Sequence, residues 1–106
     1  MSQPDLGELL ARAQQMQGRL AELQGRLALK TVEASAGGGM VTAVATGALR
    51  IRELRIEPAL VAGGDREMLQ DLTAAAVNAA LAAAERMVQD EMQRAAGLPL
   101  GSPPGR

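Results

Sequence analysis

The sequence of 106 residues contains no cysteine, no histidine and no aromatic residue. Without cysteine the chain can form neither a disulfide nor a thiolate metal site, and it has no cysteine nucleophile. Without histidine it lacks the commonest general base and metal ligand. Without an aromatic ring it has no platform on which a base or a sugar can stack. We therefore expect no enzyme activity, no cofactor, no metal site and no small-molecule substrate.

Signals for export or membrane insertion are also missing from the sequence. The first five residues have neither the basic start nor the apolar run of a signal peptide. No apolar run approaches the ~20 residues that span a membrane, and the alanine-rich stretch 73–84 is interrupted by Asn78. These observations predict a soluble cytoplasmic protein with no membrane partner.

One row of apolar residues near the N-terminus recurs at alternating steps of three and four. This row, which we call the apolar seam, consists of Leu6, Leu9, Ala13, Met16, Leu20, Leu23 and Leu27. The spacing predicts a long helix over residues 5–29 whose seam is covered by another helix. Because the aromatic-free core of so small a domain is modest, we expect the partner to be a second copy of the chain, in a homodimer.

The apolar period changes from 3.5 to 2 after residue 30. We predict three antiparallel strands over residues 31–36, 40–46 and 49–56, with Gly37, Gly38 and Gly39 in the first hairpin turn. A phosphate-binding loop is the alternative for the three glycines, but such a loop needs a Gly-Lys-Ser/Thr sequence leading into a helix. The alternation of the third strand slips between Arg52 and Glu53. Either a β-bulge or a sheet whose two ends face different environments explains the slip.

A second long helix is predicted over residues 65–96. Asp65 suits its N-cap, and Gly97 with Pro99 ends it. We expect this helix to pack through Leu72, Ala76, Ala79 and Ala83. The acidic residues Glu85, Asp90 and Glu91 are spread around the helix, which indicates a solvated face rather than a metal site. The sequence thus predicts one α+β domain over residues 1–96, followed by a disordered Gly/Pro-rich tail over residues 97–106.

Arginines recur every seven residues beside the apolar seam, at Arg12, Arg19 and Arg26. This arginine stripe is typical of the charges that flank a coiled coil, but it also suits contact with DNA phosphates. Residues 1–56 hold seven basic and five acidic residues, whereas residues 57–106 hold four and seven. The charge distribution therefore permits nucleic-acid binding without demanding it.

Several segments resemble the YbaB/EbfC family of bacterial nucleoid-associated proteins. They are residues 13–17 (AQQMQ), 36–41 (AGGGMV), 54–60 (LRIEPAL), 65–72 (DREMLQDL), 75–80 (AAVNAA) and 97–101 (GLPLG). The resemblance implies a homodimer whose helices project like the arms of tweezers. It also implies binding to double-stranded DNA, a location on the nucleoid, and effects on nucleoid organisation and gene expression.

Taken together, the residues and the resemblance predict an architectural protein that contacts DNA phosphates. The predicted contacts are Arg12, Arg19, Arg26, Lys30, Arg86 and Arg94. The competing hypothesis is a dimeric adaptor whose helical arms hold another protein, with DNA binding incidental. The two hypotheses differ in whether the arginine stripe engages acidic residues of a neighbouring helix.

Overall fold

The computed structural model describes residues 5–97 and confirms the predicted α+β fold. The elements are α1 (Leu6–Leu29), β1 (Thr31–Ala36), β2 (Val41–Thr46), β3 (Ile51–Ile56), α2 (Pro58–Ala62) and α3 (Arg66–Ala95). The sequence predicts a loop over residues 59–64, but its first part belongs to the short helix α2, because Pro58 suits the first turn of a helix and Leu60 is buried beneath it. Apart from Gly97, the predicted disordered tail lies outside the described residues, and the domain limit at residue 96 stays a prediction.

Both long helices begin at an aspartate that caps them. The carboxylate of Asp5 accepts a hydrogen bond from the backbone N–H of Gly7 at 3.3 Å. The carboxylate of Asp65 accepts one from Met68 at 3.0 Å. Each aspartate satisfies a backbone donor that the first helical turn leaves unpaired. These caps explain why the predicted helix starts agree with the structure to within one residue.

The three strands form an antiparallel meander in the order β1-β2-β3. The pairing between β2 and β3 is irregular, since Val44 lies opposite Glu53 while the next residue, Ala45, lies opposite Ile51. Arg52 is therefore an extra residue in β3, as in a β-bulge. The register confirms the irregularity predicted at Arg52 and Glu53, and it identifies the bulge as the cause.

The bulge brings the apolar residues of β3 onto one face of the sheet. Residues that lie opposite each other in an antiparallel pair project to the same face. Ile51, Leu54 and Ile56, which we call the β3 row, lie opposite Ala45, Ala43 and Val41. Those three β2 residues are fully buried. The β3 row therefore extends the buried face of the sheet towards its edge.

Strand β3 begins at Ile51 rather than at the predicted Leu49 because Leu49 belongs to the preceding turn. Its φ of 62° is in the left-handed region, and its N–H donates to the carbonyl oxygen of Thr46 at 2.9 Å. A leucine is unusual in this conformation, since its Cβ crowds the backbone.

Helix α3 packs across β1 and β2 and scarcely touches β3. Its contact ridge is Ala76, Ala80 and Ala84, all fully buried in the core against β2. Of the packing residues predicted for this helix, Ala76 is buried, Leu72 and Ala83 are half-buried, and Ala79 is exposed. Because the ridge consists of alanines, the helix approaches the sheet closely. It lies over β1 and β2, so the β3 row stays uncovered.

Helix α1 extends away from the sheet and from α3. The fold as a whole is elongated and measures 75 × 34 × 16 Å. Two residues of the apolar seam, Leu23 and Leu27, are buried near the sheet end of α1. The other five are exposed, namely Leu6, Leu9, Ala13, Met16 and Leu20. No other residue between 5 and 97 covers them, and their pairing with a second copy stays a prediction.

Candidate nucleic-acid interface

Helix α1, which we call the arm, carries the arginine stripe. An α-helix rises 1.5 Å per residue, so residues seven apart lie about 10.5 Å apart along its axis. Seven residues also return to nearly the same angular position, with a drift of only ~20°. Arg12, Arg19 and Arg26 therefore form an almost straight line about 21 Å long. All three are exposed.

The three arginines of the stripe form no ion pair with the described residues 5–97, where the paired cations are Lys30, Arg55 and Arg94. The hypothesis that the stripe engages acidic residues of a neighbouring helix thus finds no salt bridge among the residues that the structure describes. Of the three, Arg26 comes closest to engaging a neighbouring helix, because its positive charge lowers the pKa of Glu91 in α3. The guanidinium groups of Arg12 and Arg19 remain open to an external anion.

Two of the other predicted DNA contacts meet at one carboxylate. Lys30 Nζ lies 3.2 Å from Glu91 Oε2, and Arg94 Nη1 lies 2.7 Å from the same oxygen. The pair with Lys30 joins the end of the arm to α3, across 61 residues of sequence. Lys30 and Arg94 stay more than half exposed, but Glu91 neutralises part of their charge.

The charges around Glu91 also change its ionisation. The hydrogen bond from Lys30 is the largest cause of a lowered pKa at the Glu91 carboxyl, and partial desolvation opposes it. The positive charges of Arg94 and Arg26 lower this pKa further. Glu91 therefore stays ionised at neutral pH and holds its two partners.

Arg86, the last predicted DNA contact, lies beside this cluster. It lines an open groove of about 380 Å³ together with Asp90, Glu91 and Arg94. The structure thus brings Lys30, Arg86 and Arg94 together at the base of the arm. Arg12 and Arg19 lie farther out along it.

The second hairpin carries further arginines that were not among the predicted DNA contacts. Arg50 and Arg52 are exposed, whereas Arg55 pairs with Glu33 and Glu53 on the outer face of the sheet at 3.0 and 2.9 Å. In sequence these cations look like the solvated positions of a strand. Only the contact of Gly47, in the hairpin turn, with the end of the arm places Arg50 and Arg52 near its base.

Other kinds of site find little support in the described part of the chain. Between residues 5 and 97, no three acidic side chains come together closely enough to hold a metal ion. None of the helices in that range is both long and apolar enough to cross a membrane. The side chains at the base of the arm offer positive charge and hydrogen-bond donors, which suit an anionic partner.

Two nucleoid-associated proteins of known sequence are similar to this chain over most of its length. The chain is 50% identical over 101 residues to a nucleoid-associated protein of Acetivibrio thermocellus, a match that covers 95% of this chain and 88% of the relative. It is 39% identical over 97 residues to a nucleoid-associated protein of Chlorobaculum tepidum, covering 92% and 86%.

The crystal structure of an uncharacterized protein from Helicobacter pylori has the same fold. Its TM-score is 0.76 at 21% sequence identity, and the match covers 89% of this chain and 99% of the other. The model of the YbaB/EbfC DNA-binding family matches residues 1–98, which is nearly the whole chain. The predicted resemblance is thereby confirmed, and the chain belongs to the YbaB/EbfC DNA-binding family.

Proposed function

We propose that this protein is a nucleoid-associated protein that binds double-stranded DNA as a homodimer, through phosphate contacts from its arms. The observation that carries the proposal is the arginine stripe, a straight line of exposed cations on a projecting helix. Arginine binds phosphate well because its planar guanidinium can donate two hydrogen bonds at once. The family membership and the names of the relatives support DNA as the partner.

The stripe presents three cations about 10.5 Å apart, in a line about 21 Å long. Both strands of B-DNA carry phosphates along the duplex, so each arginine can meet a phosphate where the arm lies against it. Few side chains on the stripe are suited to reading base edges, so we expect little sequence preference.

A second copy of the chain is proposed to cover the β3 row. Ile51 and Leu54 are 36% and 40% exposed although they continue the buried face of the sheet. A groove of about 580 Å³ lies between Ile56, the last residue of the β3 row, and Val77 of α3. The opposite face of the sheet is polar apart from Val44, and on it Thr42 is hydrogen-bonded to Ser35. An aliphatic groove on one side only is typical of a protein interface.

The charges at the ends of β3 favour a second copy over an unrelated partner. Arg50 and Arg52 lie at its beginning, and Glu57 follows its end. In a two-fold dimer the same patch faces itself with reversed direction. The basic end of one β3 then meets the acidic end of the other. Such a dimer would carry two arms, which could straddle one duplex and constrain or bend it.

The cellular role proposed here is organisation of the bacterial nucleoid, with effects on gene expression. Two arms that bind phosphates without strong base preference are suited to coating or bending DNA at many sites. This role places the protein in the cytoplasm, on the nucleoid. The names of the relatives and the electrostatic character of the arm support it.

Gel-shift titrations of a short labelled duplex between 50 and 200 mM salt test the proposal. Six arm arginines in a dimer predict a slope of log affinity against log salt of roughly −5. Replacing Arg12, Arg19 and Arg26 together by Gln should lower the affinity for all sequences alike and flatten the slope. Glutamine retains the helix propensity of arginine, so the arm should stay folded.

A matched pair of single variants controls for net charge. Arg19→Gln removes a cation from the arm, and Arg66→Gln removes an exposed one from the start of α3. The slope of log affinity against log salt should become shallower by about 0.9 per arm for Arg19→Gln and should not change for Arg66→Gln. A triple variant that binds DNA as well as the parent, with an unchanged slope, would reject the arm as the binding surface. The adaptor hypothesis would then be the better one.

A further inference from the structure

The carboxylate of Glu91 occupies a position between cations at the base of the arm. Its Oε2 atom is shared by Lys30 at 3.2 Å and by Arg94 at 2.7 Å. Arg26 acts on the same group through its charge, and Arg86 lines the same groove. Four cations thus surround Glu91 and its neighbour Asp90, so the cluster keeps a net positive charge.

We propose that this cluster is a phosphate-binding site of the arm, and that Glu91 occupies it as an internal substitute for the DNA phosphate. The inference rests on the proposed function, since it assumes that the arm meets DNA. A carboxylate and a phosphate accept the same charge-assisted hydrogen bonds from Lys and Arg. When DNA approaches, a phosphate would replace Glu91 as the acceptor of Lys30 and Arg94.

The position of the cluster supports this assignment. Lys30 directly follows the last residue of α1, four residues after Arg26, the innermost arginine of the stripe. The site therefore continues the line of cations towards the body of the protein. Because Lys30 and Arg94 are more than half exposed, a phosphate can reach them from solvent. The Glu91 side chain is less accessible, at 23%, so solvent reaches the two cations more readily than the carboxylate.

The decisive variant is Glu91→Gln, which keeps the size of the side chain and removes its charge. If Glu91 competes with phosphate, this variant should bind duplex DNA about two- to fivefold more tightly, the size of a modest surface charge interaction. Its salt slope should become steeper by up to about 0.9 for each of the two released cations. Glu85→Gln is the matched control, because Glu85 is an exposed residue of the same helix without an ion pair among residues 5–97.

The outcomes separate this inference from the proposed function. Tighter binding and a steeper slope for Glu91→Gln, but not for Glu85→Gln, support the site. Equal effects of the two variants show a general charge effect and overturn it. Weaker binding by a folded Glu91→Gln protein overturns it as well, because Glu91 then only orients the arm. If neither the parent nor either variant shifts DNA, the proposed function fails together with the site.

A second pair of variants keeps the test decisive if Glu91→Gln does not fold, as judged by circular dichroism. Lys30→Gln and Arg94→Gln in the otherwise unchanged chain should each flatten the salt slope by up to about 0.9 per arm. Arg66→Gln again supplies the control. Unchanged slopes for both cluster variants, with DNA binding retained, would overturn the inference.

Discussion

Gly47, in the turn between β2 and β3, lies directly against the backbone carbonyl of Leu27 in the last turns of α1. Its N–H also donates to the carbonyl oxygen of Lys30 at 3.1 Å. A Cβ at position 47 would overlap the Leu27 carbonyl group, which is backbone and cannot rotate away. The turn can approach the arm this closely only because glycine has no side chain. The contact fixes the arm to the sheet.

Gly47→Ala is therefore expected to destabilise the protein by about 1–3 kcal/mol, the usual cost of overpacking. Gly25→Ala is the control, because a Cβ there meets open space on the arm and alanine is the better helix former. Thermal unfolding followed by circular dichroism should show a lower midpoint for the first variant and an unchanged or higher one for the second. Equal midpoints would contradict the close contact.

Leu54→Asp is expected to convert the proposed dimer into a monomer. A carboxylate placed in a dry interface costs several kcal/mol unless it is paired, whereas at an exposed position it costs little. Leu10→Asp makes the same change on the arm, off the apolar seam, at a leucine that is 58% exposed. Sedimentation at micromolar concentration should give twice the chain mass for the parent and for Leu10→Asp. A Leu54→Asp dimer would argue against the β3 row as the interface.

Leu49→Gly tests why a leucine occupies a left-handed position. Glycine removes a backbone cost of roughly 1–2 kcal/mol at a φ of 62°. In the monomeric Leu54→Asp background we expect the free energy of unfolding to rise by about 1 kcal/mol. In the otherwise unchanged chain the same substitution should weaken the dimer, because a side chain that is 46% exposed next to the β3 row is lost. A dimer of unchanged affinity would show that Leu49 has no part in association.

The lowered pKa of Glu91 predicts how stability depends on acidity. A carboxyl whose pKa is lower in the folded state stabilises the fold above its unfolded pKa and loses that contribution as the pH falls through its folded pKa. The difference in thermal midpoint between the parent and Glu91→Gln should thus be present at neutral pH. It should shrink as the pH falls below about 4.3, the ordinary pKa of glutamate. A difference that persists in strong acid would exclude the ion pairs as its source.

The elements themselves depended on local signals, which is why the sequence predicted them. Asp5 and Asp65 cap the helices through bonds to residues two or three positions away, and three glycines make the first turn. The line of the arginine stripe follows from helical periodicity alone. The slip at Arg52 is also a local signal, because it breaks the period of two of a strand, although the sequence left two explanations for it.

Tertiary structure decided what depends on residues far apart in the chain. The pairing of Ala45 with Ile51 identified the bulge, because register is a property of two strands. The choice of Ala80 and Ala84 over Ala79 and Ala83 depended on how α3 lies on the sheet, since adjacent alanines look alike in sequence. Likewise, Lys30 meets Glu91 only after the sheet between them has folded, so helical periodicity could place each residue on its own element but could not bring the two together.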